Sequence, residues 1–221
     1  MNKILKLSAI ALLASSTSLM AQSKGVSVAI FGAIAGAEVK GSGSESTTIS
    51  STGSGSVGQV TPIGGFDVGY HVPTSNGSVG FGATYIPIEA KIGQGTLTSG
   101  TGGSVSGKLK DHYTLYVQPA LNLNKDSAVY FKVQYAHADL EISGATGSDK
   151  LQGWGGGIGL KTFFDKNTFI QAEANYTEYD SVSGRNVTKA QGLGAGNAVT
   201  TTTVSGTPYL AQGIISIGYQ F

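Results

Sequence analysis

Gly213-Ile-Ile-Ser-Ile-Gly-Tyr-Gln-Phe221 decides how this chain folds. Read backwards from the aromatic end, Phe221, Tyr219, Ile217 and Ile215 share one face of a strand. Gln220, Gly218 and Ser216 share the other. Successive strand side chains point to opposite sides, so this segment has one apolar face and one small or polar face. An apolar face running out to a terminal ring is the pattern of a strand crossing a bilayer in a closed barrel.

The opposite end reads as an export signal. Lys3 and Lys6 form a positive n-region, Ile10 to Leu13 the centre of a short apolar stretch, and Ser15-Ser16-Thr17-Ser18 its polar flank. Such a run is too short to span a membrane as a helix and fits a removed secretory signal. Ala21 is the expected last residue before cleavage, although Leu19 stands where a small residue is usual. We therefore assign 1–21 to a signal peptide and 22–221 to one outer-membrane β-barrel.

Composition narrows the classes. The chain has no Cys, which excludes disulfides, thiolate metal sites and a lipid anchor on a modified Cys. Without Lys3 and Lys6, the 14 Lys and Arg fall by two against 13 Asp and Glu, for a net charge of −1. Nucleic-acid binding needs clustered basic residues to neutralise phosphates, so no nucleic-acid partner is expected. Charged residues make up only 12% and Gly numbers 34, far from the composition of a soluble domain. Regularly recurring aromatics argue against disorder.

Eight segments alternate with period two: 25–40, 57–72, 78–91, 108–122, 128–142, 150–164, 168–182 and 207–221. Gly/Ser/Thr-rich loops (41–56, 92–107, 143–149, 183–206) alternate with tight turns at Pro73–Gly77, Leu123–Asp126 and Asp165–Asn167. Long loops on one side and short turns on the other describe an all-β, eight-stranded, antiparallel, up-and-down transmembrane barrel. Pro62, Pro87 and Pro119 fall inside these segments and predict bulges or strand ends there. The first strand carries Ala, Gly and Ile on both faces, so its facing stays open.

The rings sort by height. Tyr85, Tyr113, Tyr135, Trp154, Tyr176 and Tyr209 have outward parity on the loop side and form an expected outer girdle. Tyr70, Phe81, Phe131, Phe164, Tyr219 and Phe221 form a second ring near the turns. Two aromatic belts are expected at the two bilayer interfaces.

Asp67, Lys132, Lys161 and Glu173 take the opposite parity, toward the bore. A Lys on the lipid face near the midplane would cost about 2–4 kcal/mol. The four sit in the turn-side half and predict a closed, polar, charge-paired interior. Lys161 and Glu173 are expected as diagonal neighbours on adjacent strands. Gly153, Gly155, Gly157 and Gly159 leave a bare inner face for Lys132, Tyr116 and Tyr130 to fold across.

The export signal, the eight strands, the loop–turn rhythm and the closing Gly-Tyr-Gln-Phe resemble the small outer-membrane barrel families. These are the OmpA transmembrane domain, OmpX and Ail, and the porin-like opacity proteins. The resemblance covers the whole mature chain and is architectural, with no loop motif matching one member. It implies residence in the bacterial outer membrane, among lipid and lipopolysaccharide. It also implies that Ile215, Ile217, Tyr219 and Phe221 serve as the signal read by the barrel assembly machinery.

The expected function is that of an integral barrel presenting hydrophilic extracellular loops, in a structural or cell-surface role. A surface adhesin with an extracellular ligand, a narrow porin-like channel and a lipid A-modifying enzyme are the alternatives. His137, Asp139 and Glu141 share an outward face near the outer leaflet, where general-base chemistry on a lipid is conceivable. No Ser partner joins them and His112 points inward without a dyad, so the expectation is no enzyme, no catalytic residue, no metal and no cofactor.

Overall fold

The computed structural model describes residues 24–46, 51–96, 104–142, 148–191 and 198–221. The expected signal segment 1–21 lies outside the described residues, as do parts of all four expected loops. Ten ladder segments appear: β1 (Gly25–Ser46), β2 (Ser51–Pro73), β3 (Gly77–Ile86), β4 (Ala90–Thr96) and β5 (Ser104–Asn122) are followed by β6 (Ser127–Ile142), β7 (Ser148–Phe163), β8 (Thr168–Tyr179), β9 (Val182–Gln191) and β10 (Ala198–Gln220). They make eight staves. β4 resumes the β3 stave beyond Pro87 and pairs with β5, while β9 resumes β8 and pairs with β10. All pairings are antiparallel, and β1 pairs with β10 to close the cylinder.

The inside-out arrangement is explicit. Along β1, Val26, Val28, Ile30 and Ile34 face outward, whereas Ser27, Ala29, Phe31, Ala33, Ala35 and Ala37 are buried in the bore. The register Ile30↔Ile217 and Gly32↔Ile215 carries the same apolar surface across the seam to β10. Phe131 is 55% exposed while its neighbour Lys132 is 6% exposed. Large apolar groups on the outside and a buried ammonium on the inside describe a wall bathed in lipid.

Three expectations need correction. The segments assigned to the first, second and fourth loops are largely strand. β1 pairs with β2 out to Glu45↔Ser51 and with β10 out to Ser46↔Thr201, and β9 pairs with β10 out to Ala198↔Gln191. Backbone ladders need no face contrast, and Thr favours them. Second, of the three prolines only Pro87 marks a strand end. Pro62 continues β2 opposite Ile34 without a register shift. At Pro119 the β5–β6 pairing lapses between Val117↔Val133 and Ala120↔Tyr130, then resumes in the same register. Proline donates no ladder bond, so the ladder skips a step without bulging.

Third, the paired charges of the bore lie in its turn-side half. The loop-side half holds a continuous apolar cluster that includes Ala33, Ala35, Ala37, Ile63, Ile86, Leu109, Ala136, Ala138, Leu140, Leu151, Leu210 and Ile214. Inward Ala33, Ala35 and Ala37 beside outward Gly32, Ile34 and Gly36 give little consistent hydropathy contrast, which is why β1 hid this layer. A bulge contributes as well. Asp111 and His112 oppose the single residue Ala138, and Asp111 has a φ of 48°. The extra residue resets the alternation, so Leu109 and His112 are both buried and Lys108 and Lys110 lie on the outer side.

The turns follow their chemistry. Asn124 Oδ1 accepts the N–H groups of Asp126 and Ser127, and Asp165 Oδ1 accepts those of Asn167 and Thr168, each at 2.7–2.9 Å. These Asx contacts replace ladder bonds where the chain reverses. They hold the Asp165 carboxyl below its ordinary value.

Candidate functional site

The middle of the bore is built from seven staves around the bare one, β7. Lys132 Nζ lies 2.6 Å from Glu173 Oε2. Glu173 also accepts Tyr130 OH at 2.8 Å and Asn175 Nδ2 at 2.9 Å. Asp67 accepts Thr84 Oγ1 and Tyr116 OH, both at 2.9 Å. The Lys132 ammonium sits 4.5 Å from the centre of the Tyr116 ring. Each buried carboxylate therefore has several donors, the condition under which a charge tolerates burial. Gln134 Nε2 adds a bond to Thr177 Oγ1 at 2.8 Å.

Lys161 and Glu173 are the diagonal neighbours expected on adjacent strands, but the ion pair of Glu173 is with Lys132. The register sets Glu173 opposite Gly159 and Lys161 opposite Gln171, so Lys161 belongs to a lower layer. Its ammonium donates to Gln220 Oε1 at 3.1 Å and lies 3.8 Å from the Phe169 ring centre and 5.0 Å from that of Phe163. Among the described residues no carboxylate lies in ion-pair contact with it. Two aromatic faces and one amide oxygen take that place.

The bare stave is filled only in part as expected. A Cβ on Gly159 would meet the Tyr130 ring at 2.3 Å, so Tyr130 does lie across it. Tyr116 instead lies over Gly82 and Gly69 of the opposite wall, and Asn175 crowds Gly157. Which wall a ring covers depends on how strands stagger around a closed barrel, and period-two reading has no access to that.

On the outer face, Tyr85, Tyr113, Trp154 and Tyr176 are exposed, with Tyr135 and Tyr209 half-buried. They associate in pairs: Tyr135 meets Trp154 edge-on at 5.5 Å, Tyr176 stacks on Tyr209 at 5.8 Å, and Tyr113 stacks on His137 at 4.9 Å. Ile215, Ile217, Tyr219 and Phe221 are exposed along the outer face of the last strand.

The outward trio His137, Asp139 and Glu141 divides. His137 Nε2 is 3.6 Å from Asp139 Oδ1, whereas Glu141 is bound to Lys110 and lies 3.7 Å from Lys108. Lys108 also reaches Glu89 at 3.2 Å and Lys110 reaches it at 3.4 Å. This four-residue network sits on the loop side of Tyr113 and ties the segment after the Pro87 break to β5 and β6. Hydrogen bonds from the lysines hold Glu89 and Glu141 below the ordinary carboxylate value, and Glu141 holds Lys110 above the ordinary lysine value. Sequence reading missed the network. Lys108 and Lys110 alternate with Leu109 as a signal, but the Asp111 bulge turns them to the unexpected side. His112 is buried edge-on against Tyr179 at 6.2 Å.

Comparison with known proteins agrees with this geometry. Residues 7–204 match the family described as outer membrane protein beta-barrel domain. No curated protein matches the chain in sequence. Among solved structures, OprG from Pseudomonas aeruginosa is 14% identical, with 91% of this chain and 99% of that chain covered and a TM-score of 0.57. Ail of Yersinia pestis, solved with the heparin analogue sucrose octasulfate, is 15% identical over 90% of this chain and 100% of that chain, with a TM-score of 0.45. The outer membrane protease OmpT from Escherichia coli is 11% identical over 92% and 100%, with a TM-score of 0.41. At these identities the likeness to OprG is one of fold. A closed cylinder of eight antiparallel staves, apolar outside, and a family match over most of the sequence lead to one assignment: the chain belongs to the outer membrane protein beta-barrel domain family and resides in the bacterial outer membrane.

Proposed function

We propose that this protein is a sealed, non-enzymatic barrel whose working part is a sheet held above the outer leaflet for contact at the cell surface. The observation that carries this reading is the continuous pairing of β2, β1 and β10 beyond the rim, joined by β9 past an irregularity between Val204 and Gly206. From Lys40 to Ser46 the β1–β10 ladder continues for seven residues, up to roughly 20 Å end to end at about 3.4 Å per residue. A fixed sheet presents its binding groups with less ordering cost than four loose loops would. The apolar belt faces lipid and lipopolysaccharide, and the Ile215–Phe221 face is the surface offered to the assembly machinery. The apolar layer and the Lys132–Glu173 layer together favour a closed bore over a channel.

The test replaces residues 183–206 with a two-residue turn and compares cells displaying each protein for adhesion to host-cell surfaces. Loss of adhesion, with the boiling-dependent shift in electrophoretic mobility retained, supports the reading. Unchanged adhesion, or a steady current from the native protein in planar bilayers, overturns it.

A further inference from the structure

Between the charged layer and the apolar layer lies a cavity of about 20 Å³, room for about one water molecule. Its wall contains polar atoms that no protein group satisfies. Thr114 Oγ1, Gln212 Nε2, Asn175 Oδ1 and both ring nitrogens of His112 lack hydrogen-bond partners. Thr114, Gln212 and His112 are 3%, 5% and 4% exposed. These groups come from three separate staves, β5, β8 and β10, and line the same small space. Lys132 and Glu173 border it too.

A buried polar atom left bare carries its full desolvation cost, and such atoms rarely cluster without a partner. The chemistry of the set defines that partner. Gln212 Nε2 only donates and Asn175 Oδ1 only accepts, while a hydroxyl and an imidazole do both. A water molecule, which donates twice and accepts twice, can accept from Gln212 and Lys132 and donate to Asn175 and to either Thr114 or one ring nitrogen of His112. A metal or ammonium ion would satisfy the acceptors and leave the Gln212 amide facing a like charge.

We infer that this cavity is a specific water-binding site, and that its water solvates the Lys132–Glu173 ion pair in the middle of the bore. Lys132 has three N–H groups, of which one reaches Glu173 and the Tyr116 ring offers only its face. The bound water supplies an acceptor for the remainder. The charged layer is therefore a hydrated station, and the apolar layer above it forms the barrier to solvent.

The test uses the full-length protein refolded in lipid nanodiscs. Magnetisation transfer from water to the Gln212 side-chain amide is measured by NMR, and urea unfolding is compared for wild type, Thr114→Val and Gln212→Leu in lipid vesicles. The expected result is a slow-exchanging water signal at Gln212. Each variant should lower the folding equilibrium constant about three- to ten-fold, the weight of a satisfied hydrogen bond. Absence of the water signal overturns the inference whatever the variants do, as do variants equal to or more stable than wild type. Replacing sodium with N-methylglucamine at fixed ionic strength should leave the wild-type midpoint unchanged. A sodium-specific stabilisation would overturn the water in favour of a bound cation.

Discussion

Lys132 Nζ and Glu173 Oε2 are 2.6 Å apart across the centre of the bore, both side chains withdrawn from the lipid and from the aqueous rims. Lys132→Met alone strands Glu173, and Glu173→Gln alone strands Lys132. Either change should cost about 3–5 kcal/mol, because an unpaired charge then stays buried. The double variant should recover much of that loss. Urea unfolding in lipid vesicles measures all three, and a double loss equal to the sum of the two single losses would deny the coupling.

Lys161 provides the contrast. Its ammonium rests on Gln220 and two phenyl rings rather than on a carboxylate. Lys161→Met strands no opposite charge and should change stability by no more than about 1 kcal/mol. It should also leave the barrel electrically silent in planar bilayers, because the apolar layer on the loop side is untouched. A new steady current would place the seal at Lys161 instead.

Two glycines distinguish the inner wall from the outer. A methyl on Gly159 would sit 2.3 Å from the Tyr130 ring and 2.6 Å from the Ala172 carbonyl oxygen, whereas one on Gly213 meets nothing within 4 Å. Gly159→Ala should destabilise the barrel by about 1–3 kcal/mol through overpacking. Gly213→Ala should lie within about 0.5 kcal/mol of wild type. Unfolding midpoints for the pair check this, and a neutral Gly159→Ala would refute the close packing.

The rim network gives a pH dependence of known sign. Glu89 and Glu141 are held below their ordinary value of 4.5 by Lys108 and Lys110. Their contribution is complete above that pH and is lost as pH falls through the lower folded value. Lys110 is held above 10.5, so its contribution is complete below that pH and lost only at stronger alkalinity. The effect should fade in 1 M salt, where the screening length is about 3 Å. Thermal midpoints of wild type and Glu141→Gln between pH 3 and 7, at low and high salt, measure it. Identical acid profiles would show that the network is inert.

Period-two reading exposed the outer wall because lipid demands contrast: Ile215, Ile217 and Phe131 could face nowhere else. It also turned Asp67, Lys132, Lys161 and Glu173 inward, since that requires only the parity of each strand. It could not say which inward groups meet, because partners across a bore are set by stagger and closure rather than by neighbours in sequence. Lys161 and Glu173 are diagonal neighbours as expected, yet the ion pair forms between Glu173 and Lys132, which reaches it past the bare β7 stave. The apolar half of the interior was hidden for a different reason. Ala33, Ala35 and Ala37 differ little from Gly32 and Gly36 beside them, so the outward Ile34 alone does not mark a face. The upper ladders were missed because Gly, Ser and Thr carry no facing information, although their backbones pair as well as any others.

Asp111 is slack in β5. With its φ of 48° it occupies a place that the partner strand does not match. Excising it would leave Leu109 toward the bore and Lys110 toward the headgroups, giving a stave one step shorter with its sidedness intact. Losing any single residue elsewhere in the membrane-crossing part of β5 would transpose every group beyond the gap. The membrane-crossing part of β5 thus has a position where its length can be trimmed without everting the wall, and it lies directly beneath the rim.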